Sequence, residues 1–220
     1  MISKKDKFII LMPPKTASTS LSNTLRKTNI SFSIPNEFIS PLSHLKLDEI
    51  VKIYNVEKLE EYKILQVVRN PYQRFISAYF QLMRITDNVE NIKFKNYNLN
   101  KFTKHLYDSK KSENFLKNFY GDTSFVETQI KNNAGWGGSR LFDTQLSWKN
   151  IDCKVTYFKL ENISNDISPI SNFINLPINS LDLLNSTGNK NYLNLIDDEM
   201  KLIIKDLFDE DIKSFQYLHI

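Results

Sequence analysis

The stretch from Phe8 to Leu21 constrains the fold of this chain more than any other. A short apolar run ends at Pro13 and Pro14, and Lys15 follows with a series of small or hydroxylated residues. A helical pattern begins at Leu21, so the stretch predicts a strand, a tight loop and a helix start. A helix N-terminus presents N–H groups without an acceptor and the positive end of the helix dipole. The loop therefore suits a phosphate or a sulfate, although an ordinary turn capped by Ser or Thr is the alternative.

A second segment of the same kind runs from Ile64 to Tyr79. It predicts a buried strand that ends in Arg69 and a helix that begins at a proline. In open α/β sheets, ligands bind beyond the carboxyl ends of the strands, which is where Arg69 is expected. Ser77 lies in the following helix and is expected to face the same region. A lone arginine at a strand end is more often a surface ion pair, but two such segments at one sheet edge favour an anion site.

The two segments resemble motifs of a known family. Residues 14–20, Pro-Lys-Thr-Ala-Ser-Thr-Ser, are similar to the 5′-phosphosulfate loop of the carbohydrate sulfotransferases that use 3′-phosphoadenosine-5′-phosphosulfate (PAPS). Residues 68–79 are similar to the 3′-phosphate motif of that family. The likeness is strongest to the heparan sulfate 2-O-sulfotransferases and their small bacterial relatives.

This resemblance implies both a fold and a reaction. The implied fold is an α/β, three-layer sulfotransferase-like fold related to the P-loop nucleoside-triphosphate hydrolases, with a central parallel sheet flanked by helices. One sulfotransferase domain is expected over residues 1–220. The implied reaction is in-line transfer of the sulfuryl group from PAPS to a hydroxyl, most often on a carbohydrate, which leaves 3′,5′-adenosine bisphosphate (PAP) and needs no metal.

The resemblance also assigns roles to single residues. Lys15 is expected to act in catalysis by offsetting the charge that develops on the leaving phosphate oxygen. Arg69 and Ser77 are expected to bind the 3′-phosphate, for which the planar guanidinium is well suited. Residues 186–190 are similar to a loop that closes over the same phosphate. The implied cofactor-binding residues are Lys15, Thr16, Ala17, Ser18, Thr19, Ser20, Arg69, Ser77, Ser186, Thr187 and Lys190.

His44 is the candidate catalytic base. Related enzymes carry the base in a His-x-x-x-x-Glu-Ile setting, and this chain has His44 followed by Glu49 and Ile50. A neutral imidazole is a suitable proton acceptor near neutral pH. Glu49 and Glu37 are alternative bases, because other branches of the superfamily use a carboxylate. The alternative for His44 is a helix-capping or merely exposed histidine.

Composition limits the remaining function classes. A chain of 220 residues suits one domain with a sizeable core, and the net charge of +4 fits an anionic ligand without demanding nucleic acid. Cys153 is the only cysteine, which excludes an internal disulfide and a cysteine-rich zinc site, and its apolar neighbours favour inert burial. The apolar run after Lys7 is too short for a signal peptide or a membrane span, so a cytoplasmic location without an integral membrane segment is expected.

The rest of the chain predicts alternating strands and helices, which favours a parallel sheet. Strands are predicted at 7–12, 31–34, 63–68 and 155–158. Helices are predicted at 19–28, from 47, at 71–85, 99–106, 115–119, 123–133, 142–148 and 161–173, and twice more before 217. Residues 86–122 do not match the family and are interpreted as an insertion near the acceptor site, with enough apolar residues to pack.

Three other function classes fit less well. A P-loop hydrolase or kinase needs glycines in its phosphate loop, whereas the first glycine of this chain is Gly121. A dinucleotide-binding fold fails on the same ground, and metal-dependent hydrolysis lacks an HExxH motif. A non-catalytic nucleotide- or glycan-binding protein on the same fold is the main alternative to an enzyme.

Overall fold

A computed structural model describes residues 1–28, 44–87, 92–121, 139–181 and 192–217. The chain forms two compact units, the first from residues 1–69 and 145–188 and the second from residues 70–144 and 189–220. A single sulfotransferase domain over 1–220 stays a prediction. Two further predicted elements, the strand at 31–34 and the helix at 123–133, lie outside the described residues.

The first unit contains a four-stranded sheet in the order β1–β2–β3–β4. Its strands are β1 Ile2–Ser3, β2 Phe8–Leu11, β3 Lys63–Val68 and β4 Thr156–Lys159. Neighbours β2, β3 and β4 run parallel, as predicted, whereas β1 pairs antiparallel with β2. The sheet is therefore mixed, and β1 was missed because two residues are too short to give an alternating pattern.

The helices of the described residues carry the labels α1 to α9 in chain order. They are α1 Ser18–Arg26, α2 Leu47–Ile53, α3 Pro71–Thr86, α4 Leu99–Lys110, α5 Phe115–Tyr120, α6 Leu160–Ile163, α7 Ser168–Ile174, α8 Asp198–Leu207 and α9 Asp209–Ser214. Short 3-10 helices lie at Leu59–Glu61, Ser139–Phe142, Leu146–Trp148 and Tyr192–Leu195.

Helices cover both faces of the sheet in the first unit. Alternate side chains of a strand point to opposite faces, and β2 follows this rule. Phe8 and Ile10 pack with residues of α1, α6 and α7, whereas Ile9 and Leu11 pack with α2 and Trp148. The sequence pattern predicted a sheet flanked by helices, and the family resemblance implied the three layers. This arrangement places the loop between β2 and α1 at the carboxyl end of a central strand.

Two helix predictions were wrong in extent. The helix expected at 142–148 is instead two short 3-10 helices, Ser139–Phe142 and Leu146–Trp148. The single helix expected from 161 to 173 is divided into α6 and α7. The Asp166 carboxylate accepts hydrogen bonds from the main-chain N–H and the hydroxyl of Ser168, and Pro169 lies in the first turn of α7. A proline fits the start of a helix but not its interior, so this local signal begins a new helix.

The second unit has its own aromatic core. Phe75 of α3, Phe102 of α4 and Phe119 of α5 are fully buried in one cluster. The segment 86–122 was predicted to have enough apolar side chains to pack, and its described part, 92–121, contributes six buried residues to this core: Ile92, Phe94, Phe102, Leu106, Phe119 and Tyr120. Three polar contacts join α4 and α8: Asn100 to Asp197, Lys104 to Glu199 and Tyr107 to Asp206.

Within the described residues, no helix is both long and apolar enough to cross a membrane.

Candidate functional site

The loop that joins β2 to α1 holds two non-glycine residues in the left-handed region. Lys15 has φ 68° and Ala17 has φ 62°. Such a conformation costs a residue with a Cβ roughly 1–2 kcal/mol, so surrounding contacts must hold it. One of them is the buried hydroxyl of Thr16, which donates to the main-chain oxygen of Pro13 at 2.8 Å. This hydrogen bond between two loop residues therefore helps to hold the left-handed conformation.

The first turn of α1 follows this loop directly. Ala17 is the N-cap residue and has no side chain that can accept from the helix, and the turn carries no acidic residue. Ser18 is half-buried, Thr19 is exposed and Ser20 is buried. The first N–H groups of an α-helix have no acceptor within the helix, and the dipole there favours negative charge. The turn is therefore chemically suited to an anion, as the sequence indicated.

Arg69 reaches this loop from the neighbouring strand. Because β2 and β3 are parallel and hydrogen-bonded, their carboxyl ends lie at the same edge of the sheet. Arg69 directly follows β3, and its Nη1 donates to the main-chain oxygen of Lys15 at 3.3 Å. Both side chains are partly exposed. Two cationic residues predicted from separate segments thus meet at one loop.

Gln145 holds the main chain of Arg69, a role that sequence reasoning missed. The N–H of Arg69 donates to Gln145 Oε1 at 2.8 Å, and Gln145 Nε2 donates back to the oxygen of Arg69 at 2.9 Å. The main-chain oxygen of Gln145 in turn accepts from Nε2 of Gln66 at 2.7 Å. Arg69 and Gln145 lie far from each other in the sequence, so no local sequence pattern relates them.

His44 contacts the same loop through its imidazole. Its Nδ1 lies 2.7 Å from the main-chain oxygen of Met12. A carbonyl oxygen only accepts, so Nδ1 carries a hydrogen, and in the neutral ring Nε2 becomes the proton-accepting nitrogen. The half-buried ring also meets Trp148 edge-on, with the ring centroids 6.3 Å apart. The contact with Met12 therefore leaves Nε2 as the ring nitrogen that can accept a proton.

The alternative base Glu49 has a structural task. Its Oε2 accepts from the main-chain N–H of Lys46 at 2.8 Å, just before α2. This bond belongs to the start of α2, so the contact gives Glu49 a capping role. Glu37, the other alternative, lies outside the described residues.

The other predicted site residues lie either in the second unit or outside the described residues. Ser77 is half-buried in α3 of the second unit. That helix begins as predicted, with Pro71 in its first turn and the Asn70 side chain accepting from two main-chain N–H groups. Ser186, Thr187 and Lys190 lie outside the described residues. In the part of the chain that is described, no group of three or more His, Cys, Asp or Glu side chains is placed to hold a metal ion.

Comparison with known proteins gives a family match over nearly the whole chain. The model of a family described as "Sulfotransferase family" matches residues 1–218. No curated protein matches the chain. A crystal structure of a sulfotransferase from Alicyclobacillus acidocaldarius is similar over 94% of this chain and 84% of that chain, with 12% identity and a TM-score of 0.37. That structural likeness is too weak to carry an argument about this chain, whereas the family match spans nearly its whole length.

Proposed function

Because this chain belongs to the sulfotransferase family, we propose that it transfers a sulfuryl group from PAPS to a hydroxyl group of a carbohydrate. One observation carries the proposal: Arg69 and His44 each hydrogen-bond to a main-chain oxygen of the loop that contains Lys15. These contacts support a site in which two cations, Arg69 and Lys15, and a base, His44, act on one donor. These are the groups that in-line transfer between two oxygens requires.

The residues of this loop fit an anionic nucleotide. The first turn of α1 offers main-chain N–H groups and carries no acid that would repel a phosphosulfate. Lys15 and Arg69 add two positive charges at the same sheet edge. In this proposal residues 15–20 hold the 5′-phosphosulfate and Arg69 pairs with the 3′-phosphate. The assignments of Ser77, Ser186, Thr187 and Lys190 to the 3′-phosphate belong to the same proposal and rest on the family resemblance.

The proposed chemistry divides between two side chains. Bound PAPS supplies the sulfuryl group, which forms a bond to the acceptor oxygen as its bond to the 5′-phosphate oxygen breaks. Nε2 of His44 accepts the proton of the acceptor hydroxyl, since Nδ1 is engaged with Met12. The ammonium group of Lys15 offsets the negative charge that develops on the phosphate oxygen. Little covalent work is left for the protein, so placement and charge account for the catalysis.

A binding experiment and a transfer experiment test the proposal. We expect PAP to raise the thermal midpoint more than AMP or ATP at equal concentration, because a ligand that binds only the native state stabilises it. Larger stabilisation by ATP would contradict the proposal and favour a kinase-like reaction. Transfer of labelled sulfate from PAPS to a panel of glycans should give a labelled product. Selective PAP binding with no transfer to any acceptor would instead favour a non-catalytic binding protein.

A further inference from the structure

We infer that Gln145 is a positioning residue that sets the direction of the Arg69 guanidinium toward the 3′-phosphate. The inference rests on the proposed function, which gives Arg69 that phosphate as its ligand. It concerns a residue that neither the family resemblance nor the sequence pattern singled out. Gln145 acts on the ligand only through the main chain of Arg69.

Arg69 lies just beyond the last residue of β3 that is paired with a neighbouring strand. The last residue pair between β3 and β4 is Val68 with Lys159, and β2 ends opposite Gln66. Arg69 is therefore one residue beyond the ladder, at a point where the main chain turns toward the next helix. Its N–H and its C=O both bond to the side-chain amide of Gln145. The amide thus extends the strand pairing by one residue, which fixes both dihedral angles of Arg69 and the direction of its Cα–Cβ bond.

Gln145 is itself held rigidly. It is fully buried, and its main-chain oxygen accepts from the buried side chain of Gln66 in the middle of β3. The Oε1 atom of Gln66 is buried without a hydrogen-bond partner among the described residues. A buried acceptor without a hydrogen bond destabilises the folded state. An apolar residue at position 66 would avoid that penalty but would release Gln145, so the polar pair has a purpose beyond packing.

The hydrogen bonds form one chain that ends at the proposed donor site. It runs from Gln66 to Gln145, from Gln145 to the main chain of Arg69, and from the Arg69 guanidinium to the oxygen of Lys15. A guanidinium pairs with phosphate in a planar geometry that tolerates little displacement. Loss of the two hydrogen bonds between the Gln145 side chain and the main chain of Arg69 should therefore weaken recognition of the 3′-phosphate even when the protein remains folded.

The test measures the preference for PAP over AMP, which differ by the 3′-phosphate alone. Dissociation constants of both ligands are measured for wild type, Arg69→Ala, Gln145→Leu and the double variant. We expect the dissociation constant of AMP divided by that of PAP to fall by roughly 10- to 100-fold in Gln145→Leu. This is the size of effect expected for loss of a charge-assisted hydrogen bond. AMP affinity should change little. The double variant should lose no more than Arg69→Ala alone, because Gln145 acts through Arg69.

Gln145→Glu provides a rescue experiment. A protonated carboxyl keeps one acceptor and one O–H donor and can replace the amide, whereas a carboxylate repels the oxygen of Arg69. Burial raises the pKa of a carboxyl, so this side chain should become protonated as the pH is lowered from about 8.5 to about 5.5. Over that range the PAP preference of the variant should recover toward the preference of wild type measured at the same pH. A role limited to fold stability predicts no such recovery.

Ser171→Ala is the matched control. Ser171 lies in the same unit, and its hydroxyl accepts from the N–H of Ile178 and donates to the oxygen of Leu176. It therefore also joins two main-chain groups, and its loss should lower the thermal midpoint while the PAP preference is kept.

The outcomes separate the two claims. A wild-type protein that binds PAP and AMP equally contradicts the proposed function itself. A wild type that prefers PAP, loses the preference in Arg69→Ala and keeps it in folded Gln145 variants overturns the positioning role alone.

Discussion

The imidazole of His44 and the main-chain oxygen of Met12 lie 2.7 Å apart. This contact ties a residue three positions before α2 to the residue after β2, although the two are far apart in the sequence. It also decides the chemistry of the ring, because the nitrogen that faces a carbonyl must carry the hydrogen. Nε2 is then the nitrogen that accepts a proton, as the proposed reaction requires.

Replacement of His44 should separate catalysis from donor binding. In His44→Ala we expect the rate of sulfate transfer to fall by about 10²- to 10⁴-fold, the usual contribution of a general base. PAP affinity should stay within a few-fold of wild type, since the imidazole is not proposed to contact the nucleotide. Single-turnover transfer and PAP titration measure the two quantities.

His105→Gln is the control for this experiment. His105 Nε2 bonds to the oxygen of Phe119 at 2.8 Å and its ring stacks on the same residue, both within the second unit. The variant should be less stable but should keep its transfer rate at a temperature where it is folded. If His44→Ala transferred sulfate at the wild-type rate, His44 would be excluded as the general base.

Lys15→Gly should make the protein more stable and less active. Glycine adopts the φ of 68° found at this position without strain. The relief of strain should exceed the entropy that glycine adds to the unfolded chain, so the free energy of unfolding should rise by about 1 kcal/mol. Transfer should fall sharply because the ammonium group is lost. Chemical denaturation and labelled-sulfate transfer measure the two effects.

The same replacement in a right-handed helix is the control. Lys52 is an exposed residue of α2, and Lys52→Gly should lower the free energy of unfolding by about 1 kcal/mol. If both glycine variants are destabilised alike, the left-handed conformation of Lys15 is not strained.

Asp197 should make the start of α8 sensitive to acid. Hydrogen bonds from the Met200 N–H, first, and from Asn100 lower the pKa of its carboxyl below the ordinary value of 3.8. A lowered folded-state pKa contributes stability above that ordinary value, and the contribution is lost as the pH falls through the folded-state pKa. Asp197→Asn can still cap the helix but has no charge to titrate. The difference in thermal midpoint between wild type and this variant should therefore shrink in acid.

Asp198→Asn tests whether the cap is the cause. Asp198 is in the same helical turn and contacts Lys201 on the surface, so the replacement removes an equal charge without touching the cap. A pH dependence that matches that of Asp197→Asn would argue for a general charge effect.

Cys153 should react slowly with thiol reagents in the native protein. Burial raises the pKa of its thiol, with Asp152 adding to the rise and Lys149 opposing it. The reactive thiolate is thus scarce near neutral pH. Because the chain has one cysteine, the rate of labelling reports this site alone, and it should increase on unfolding in urea. Equal rates in native and unfolded protein would contradict the inert role.

Much of the architecture was predictable because its signals are local. The bounds predicted for β3 and for the start of α3 match the structure, since a buried apolar run and a proline at the first turn are strong patterns. The division between α6 and α7 also has a local signal in Ser168 and Pro169, which the apolar spacing concealed. By contrast, β1 is recognisable only through its pairing with β2.

The sequence alone determined the strand-loop-helix order and the chemical character of the loop that contains Lys15, because periodicity, prolines and small residues act on their immediate neighbours. Only the tertiary structure decided which residues meet that loop. The tautomer of His44 depends on its contact with Met12, and the main-chain conformation of Arg69 depends on its hydrogen bonds to Gln145. Both are contacts between distant positions, and such contacts exist only once the sheet and its covering helices have brought the chain together.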